Sequence, residues 1–193
     1  MSSFSSSSSA PGKFSRRRLI QRAIALAGGA LIAPMVSSRD AQGLAGPAFE
    51  VSKWTGPLTA LDLLDISGKT WRTDDLRGRA VLLNFWASWC EPCRAEMPTL
   101  QQVADFYGPE KFLVLAINFK EPAARALKFA QTTGVTFPVL LDTAGKVAGQ
   151  HGVKVFPTTL TLNARGQPMQ RIKGEVDWTS SASVARIEAL IKA

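Results

Sequence analysis

The sequence predicts an α/β fold, a β-sheet covered by helices and closed by a C-terminal hairpin and helix. Three observations predict it. Ala80–Phe85 and Phe112–Asn118 are near-continuous apolar runs, the pattern of strands buried on both faces. Segments with helical spacing, Glu91–Phe106 and Glu121–Thr133, lie directly behind them. Thr158–Leu162 and Met169–Lys173 then flank a turn at Asn163–Gln167, ahead of a last amphipathic segment. Alternating strands and helices followed by a hairpin imply one layered α/β domain.

Each element has a local reason. Leu58–Ile66 and Thr70-Trp71-Arg72 bracket Ser67-Gly68-Lys69, which reads as an N-terminal hairpin with a Gly turn. Asp74-Asp75-Leu76 suggests a short helical turn. Ala80–Phe85 has one polar member, Asn84. The helix at Glu121–Thr133 contains the strong formers Ala124, Leu127, Lys128 and Gln131 and stops at Gly134. Phe137–Leu141 is a short strand, Ala144–Gln150 a short helix capped by Asp142, and Trp178–Lys192 the closing helix. There are no repeats and no second folded domain.

The charge narrows the function. The net charge of +8 is concentrated in residues 1–45, which hold six of the 23 basic residues and one of the 15 acids. Residues 46–193 carry 17 basic against 14 acidic residues, with no basic run, so a nucleic-acid partner is not expected. The N-terminus itself reads as an address. Met1–Gly12 is serine-rich and should be disordered. Ser15-Arg16-Arg17-Arg18-Leu19-Ile20-Gln21 is similar to the twin-arginine signal pattern, with Leu19 and Gln21 where Phe and Lys are common. Ala23–Val36 follows, too short to span a bilayer but suited to the apolar region of an export signal. Ala41-Gln42-Gly43 and Gly43-Leu44-Ala45 offer small residues for cleavage; the alternative is an uncleaved anchor. The expectation is an export signal over 1–45, a folded domain over 48–193 and a periplasmic location.

Two cysteines, Cys90 and Cys93, are the only ones in the chain. They cannot form a multi-disulfide scaffold, and 148 residues after position 45 need no staples, so the pair should be reactive or metal-binding. Zinc would need two further ligands, and the one histidine, His151, lies far along the chain. Cys90 follows a buried strand and opens a helix, where unpaired N–H groups and the helix dipole favour an anion. A thiol there ionises more easily, and the thiolate is the nucleophile. Pro92 suits an early helical position, and Cys93 lies on the same face one turn deeper. The chemistry expected is attack by Cys90 on a disulfide, then release of the product by Cys93, with no cofactor.

Trp86-Ala87-Ser88-Trp89-Cys90-Glu91-Pro92-Cys93 resembles the thioredoxin active site, and specifically that of the exported TlpA/ResA-like branch. Pro98 falls where thioredoxins kink the active-site helix. Gly152–Thr159, GVKVFPTT, resembles the segment whose cis-proline faces the sulfurs, and Phe137–Asp142, FPVLLD, resembles the strand of the branch's insertion. The resemblance covers residues 48–193. It implies a thioredoxin-like fold: a central mixed sheet with helices on both faces, an N-terminal hairpin and a mid-domain insertion. It also implies a redox-active disulfide between Cys90 and Cys93.

Three further positions follow from that resemblance. Asn84 stands where cytoplasmic thioredoxins keep a buried Asp. Glu96, three residues after Cys93, is expected to raise the cysteine pKa values and to carry the proton of Cys93. Pro157, if cis, would expose the backbone of Phe156 to an extended substrate. Phe156 is bulkier than the residue usual there, and with Trp89 is expected to contact substrate. Glu91 adds charge against the helix dipole. Both acids favour a reductant.

The resemblance implies a target such as the haem-binding cysteines of apocytochrome c or a copper-assembly protein, and a membrane thiol reductase as electron donor. The competing readings are a disulfide oxidase or isomerase, a Cu(I) carrier without turnover, and a thiol peroxidase. The copper-carrying relatives place three residues between their cysteines and use a distal His; here two intervene, and His151 reads as a loop residue. Peroxidases usually set the attacking cysteine in Thr-x-x-Cys without a second one on the turn. Trp54, Trp71 and Trp178 read as packing residues, and Trp86 as nearer the core than Trp89.

Overall fold

A computed structural model describes residues 49–193. The export signal and the leading residue of the expected domain lie outside the described residues. A six-stranded sheet and the active-site helix define the architecture. β4 (Ala80–Trp86), buried at all seven positions, is the centre of a six-stranded sheet. β5 (Phe112–Phe119) and then β6 (Val139–Asp142) lie parallel on one side of it. On the other side β7 (Thr158–Leu162), β8 (Pro168–Gly174) and β1 (Phe49–Lys53) follow, each antiparallel to its neighbour. The order β1-β8-β7-β4-β5-β6 is the mixed sheet expected. β2 (Asp62–Leu64) and β3 (Thr70–Arg72) form the N-terminal hairpin as a separate ladder, followed by a 3₁₀ turn, Thr73–Leu76.

Strand alternation decides which side chains meet the active-site helix. Ala80, Leu82 and Trp86 of β4, with Phe112, Val114 and Ala116 of β5, face α1 (Glu91–Tyr107), α2 (Ala123–Thr133) and α4 (Ser181–Lys192). Val81, Leu83, Phe85, Leu113, Leu115 and Ile117 face the opposite side, under the hairpin, the 3₁₀ turn and α3 (Lys146–Gln150). Helices therefore cover both faces as expected, but unequally. Asn84, being even-numbered in β4, falls on the α1 face. Thr159 stands opposite it in register on β7. The insertion is β6 with α3, which adds an outer parallel strand between α2 and β7.

Element ends depart from the sequence reading for local reasons. α2 begins at Ala123 after Pro122, and Glu121 stays outside it. α4 begins at Ser181 with Ser180 as N-cap, so Trp178 is a fully buried packing residue and not a helical one. α3 starts after Gly145, which adopts a left-handed conformation (φ 67°) against Phe119 and Lys120, where a Cβ would collide. Asp142 still caps it by accepting from Val147 N–H (3.3 Å) and Ala148 N–H (2.8 Å). β1 was not foreseen: it is an edge strand with half-exposed residues. Its alternating Phe49-Glu50-Val51-Ser52-Lys53 was the available signal.

The hairpin is locked by a buried acid. Asp65 accepts from Ser67 N–H and Oγ–H, Lys69 N–H and the Trp71 indole. Burial pushes its carboxyl up, but these hydrogen bonds outweigh it and hold the carboxyl below its ordinary value. The adjoining Ile66 N–H bonds Val139 O (2.9 Å), so the hairpin covers the edge of β6.

Candidate active site

The end of β4 delivers the chain into a turn, with Cys90 N–H bonded to Ala87 O at 3.1 Å. Cys90 is the N-cap of α1 and accepts from Cys93 N–H at 3.3 Å through its sulfur. Pro92 sits in the first turn, where an N–H would have no helical partner. The two sulfurs are joined in a disulfide, with Cα atoms 5.3 Å apart. Exposure separates the two: Cys90 is 6% exposed and Cys93 0%, so only Cys90 meets solvent. A disulfide so placed can accept a thiolate at Cys90, and its reduced form can present Cys90 to another disulfide. Pro98 interrupts the backbone ladder within α1, since it has no N–H to give.

Glu96 lies below the pair on α1 and is 1% exposed. Asn84 Nδ2 donates to its Oε1 at 2.6 Å, and Val176 N–H donates to Oε2 at 3.2 Å. Asn84 Nδ2 also donates to Thr159 Oγ1 at 3.0 Å. Burial pushes the Glu96 carboxyl up to about 8. The Asn84 and Val176 hydrogen bonds pull the other way, as does the Trp178 indole at longer range, and Glu175 adds a small upward push. The Trp178 N–H meets no hydrogen-bond geometry there. Asn84 Oδ1 is likewise buried without a partner.

The opposite wall comes from the segment before β7. The Phe156–Pro157 peptide bond is cis. Thr158 pairs with Phe85, which puts Pro157 beside the end of β4 and the cysteine turn. Pro157 is buried, and Phe156 packs against the cluster that contains both cysteines. Phe156 rests on Phe119 at 4.8 Å between ring centroids, and Trp89 meets its ring edge-on at 6.0 Å. Trp89 is 63% exposed, an unusual position for a tryptophan. Among the described residues, the backbone N–H and C=O of Phe156 make no hydrogen bond. Cys90, Cys93, Glu96, Pro157, Phe156 and Trp89 are thus gathered at this end of the sheet.

Two residues turn out differently. Glu91 is exposed and pairs loosely with Arg94 at 3.9 Å, so solvent screens most of its charge. His151 lies in a turn after α3, in keeping with the loop reading, but it is buried, caps that helix and packs edge-on against Trp54. Its Nδ1 contacts Val147 O at 2.8 Å, and its Nε2 accepts from Thr59 N–H at 3.3 Å. That pattern fixes the neutral ring, and burial lowers its pKa further than Val147 restores it. Both nitrogens are engaged, which removes His151 as a copper ligand.

Glu121 is the residue the sequence reading missed. It accepts from Ser88 N–H (2.7 Å), Ser88 Oγ–H (2.6 Å) and Asn118 Nδ2 (2.8 Å). An acid beside Pro122 reads as a helix start. The only available clue was its place at the end of a buried strand.

Comparison with known proteins agrees with this geometry. The model of the AhpC/TSA family matches residues 46–167. The chain belongs to the AhpC/TSA family. Thiol-disulfide oxidoreductase ResA of Geobacillus thermodenitrificans is 38% identical over 112 residues, which cover 58% of this chain and 64% of that protein. ResA of Bacillus subtilis is 35% identical over 112 residues, covering 58% of this chain and 63% of its own. The chain therefore spans somewhat under two thirds of the length of these relatives. Among solved structures, a thiol:disulfide interchange protein of the thioredoxin family from Chlorobium tepidum superposes with a TM-score of 0.62 at 25% identity. That match covers 70% of this chain and 95% of that one. The fold of this AhpC/TSA member is thioredoxin-like.

Proposed function

We propose that this protein is an exported thiol-disulfide oxidoreductase working as a reductase of protein disulfides through Cys90 and Cys93. The observation that carries the reading is a disulfide at a helix N-terminus with Cys90 keeping a slight exposure of 6%, Cys93 wholly buried, and a buried carboxyl on the next turn. Relatives named thiol-disulfide oxidoreductases, matched across this region, support the same chemistry.

In the reduced protein, the Cys90 thiolate attacks a target disulfide and forms a mixed disulfide. The departing target sulfur takes a proton from water. Cys93 then passes its proton to Glu96, attacks Cys90, and releases the target's second sulfur. Two electrons move to the target, and the protein is left with its Cys90–Cys93 bond. A Glu96 carboxyl raised to about 8 in that oxidised state keeps the proton at neutral pH. When a donor dithiol later opens the bond, Glu96 returns it to Cys93. Asn84 suits this cycle better than an Asp would. Its amide donates to the carboxylate and, turned over, accepts from the carboxyl through the oxygen now lacking a partner.

Trp89, Phe156 and Pro157 form the contact surface for an extended substrate, whose backbone pairs with that of Phe156. Cytochrome c maturation or copper-protein assembly supplies substrates of this kind, and a membrane thiol reductase supplies the electrons. Residues 1–45 act as the twin-arginine export signal, read by that machinery, for a domain over 48–193 that works in the periplasm. Among the described residues no helix is long and apolar enough to cross a membrane. Replacing Arg16 and Arg17 together by Lys is expected to leave the precursor in the cytoplasmic fraction; periplasmic recovery equal to wild type would refute the export reading.

A further inference from the structure

A second buried carboxylate sits on the far side of the cysteine turn from Glu96, and its chemistry is the opposite. Glu121 is 4% exposed and lies between β5 and α2. Its Oε2 accepts the backbone N–H of Ser88, and its Oε1 accepts the hydroxyl of the same residue. Asn118 donates to it from β5, and Arg125 Nη1 approaches to 3.6 Å from α2. Ser88 is an inner residue of the Ala87–Cys90 turn, where its N–H has no partner within the turn. The grip on Ser88 therefore fixes the two residues that follow: Trp89, held out to solvent, and Cys90, set at the helix cap.

We propose that Glu121 is a positioning residue for this turn, and that its fixed negative charge keeps the Cys90 thiol harder to ionise than the helix N-terminus alone would make it. The inference rests on the thiol-disulfide exchange reading of Cys90. Two residues of chain reach at most about 7 Å, so the carboxylate lies within roughly 10 Å of Cys90. That is about one screening length at ordinary salt, and the charge is buried, so screening is weak. Burial pushes the Glu121 carboxyl up. The Ser88 side-chain and backbone hydrogen bonds, then Asn118 and Arg125, outweigh it and hold the carboxyl below its ordinary value.

Other charges around Cys90 do not supply this effect. Glu91 and Arg94 on α1 are exposed and offset each other. Glu96 on α1 is protonated at neutral pH in the disulfide form. The segment before β7 brings Phe156 and Pro157, which are uncharged, and Lys154, which is exposed. Two carboxylates driven to opposite protonation states then have separate tasks: Glu96 moves a proton, and Glu121 never does.

The test uses the full chain in its reduced form, with alkylation by iodoacetamide followed against pH and located at Cys90 by mass spectrometry. Glu121→Gln, folded by circular dichroism, is expected to lower the Cys90 inflection by on the order of one pH unit. Glu121→Asp, which keeps the charge, should return the inflection toward wild type. A folded Glu121→Gln protein with an unmoved inflection overturns the proposal, since a purely structural role would change melting and leave ionisation alone. Should Glu121→Gln fail to fold, Arg125→Ala decides, because Arg125 is exposed. Losing that cation should raise the inflection at low ionic strength, and no change there also overturns the proposal. Alkylation reports ionisation whether or not the protein reduces disulfides, so this failure is distinct from failure of the reductase reading.

Discussion

Cys90→Ser is expected to reduce insulin cleavage with dithiothreitol to the uncatalysed rate. Cys90 is the cysteine that keeps some exposure, 6%, and Cys93, at 0% beneath it, has no path to an incoming disulfide. Only a thiolate attacks, and serine at that place does not ionise. The paired variant separates the two steps. Cys93→Ser keeps the attacking sulfur but cannot resolve the mixed disulfide, so covalent adducts through Cys90 should accumulate. Mass spectrometry of those adducts names the physiological target. Insulin cleavage retained in Cys90→Ser would remove the two-cysteine cycle altogether.

Glu96→Gln has the second large effect, and it is a pH effect. In the folded protein this carboxyl titrates near 8, against 4.5 for the free group. Between those values the native state holds a proton that the unfolded chain has lost, so stability falls as pH rises. Below 4.5 both states are protonated, and above 8 both are ionised, so the slope vanishes in both ranges. The full fall attributable to Glu96 is on the order of 5 kcal/mol. Urea unfolding across pH 4 to 9 should show that decline in wild type and lose most of it in Glu96→Gln. In turnover, the same variant should slow the resolution step most strongly above neutrality, where ionised Glu96 would accept the proton of Cys93. Equal pH dependence in the two proteins would remove Glu96 from the proton path.

Much of this was legible because the chemistry is local. The runs at Ala80–Phe85 and Phe112–Asn118 betray their burial on both faces, which no surface strand would require. Cys90, Pro92 and Cys93 declare a helix start through spacing alone. Glu96 could be placed near Cys93 by helical geometry, but what shifts its proton could not. Its partners arrive from 12 residues upstream and 80 downstream, brought in by β4 and by the chain after β8. Glu121 was hidden for the same reason: its partner Ser88 is 33 residues away, and the parallel packing of β4 with β5 sets their meeting. His151 does lie in a turn after α3, but its burial was not legible from its neighbours in sequence. Only the packing of Trp54 and Thr59 over it encloses the ring.

The central claim is that the pair donates electrons, and its reduction potential tests that most directly. Equilibration of the full chain with glutathione or dithiothreitol buffers gives the value. A buried acid that becomes neutral in the disulfide form, together with a fixed anion behind the turn, stabilises the oxidised state over the thiolate. The expected potential is therefore near that of thioredoxin, about −270 mV. A value near that of DsbA, about −120 mV, would mark the reduced form as the stabilised one and contradict the account.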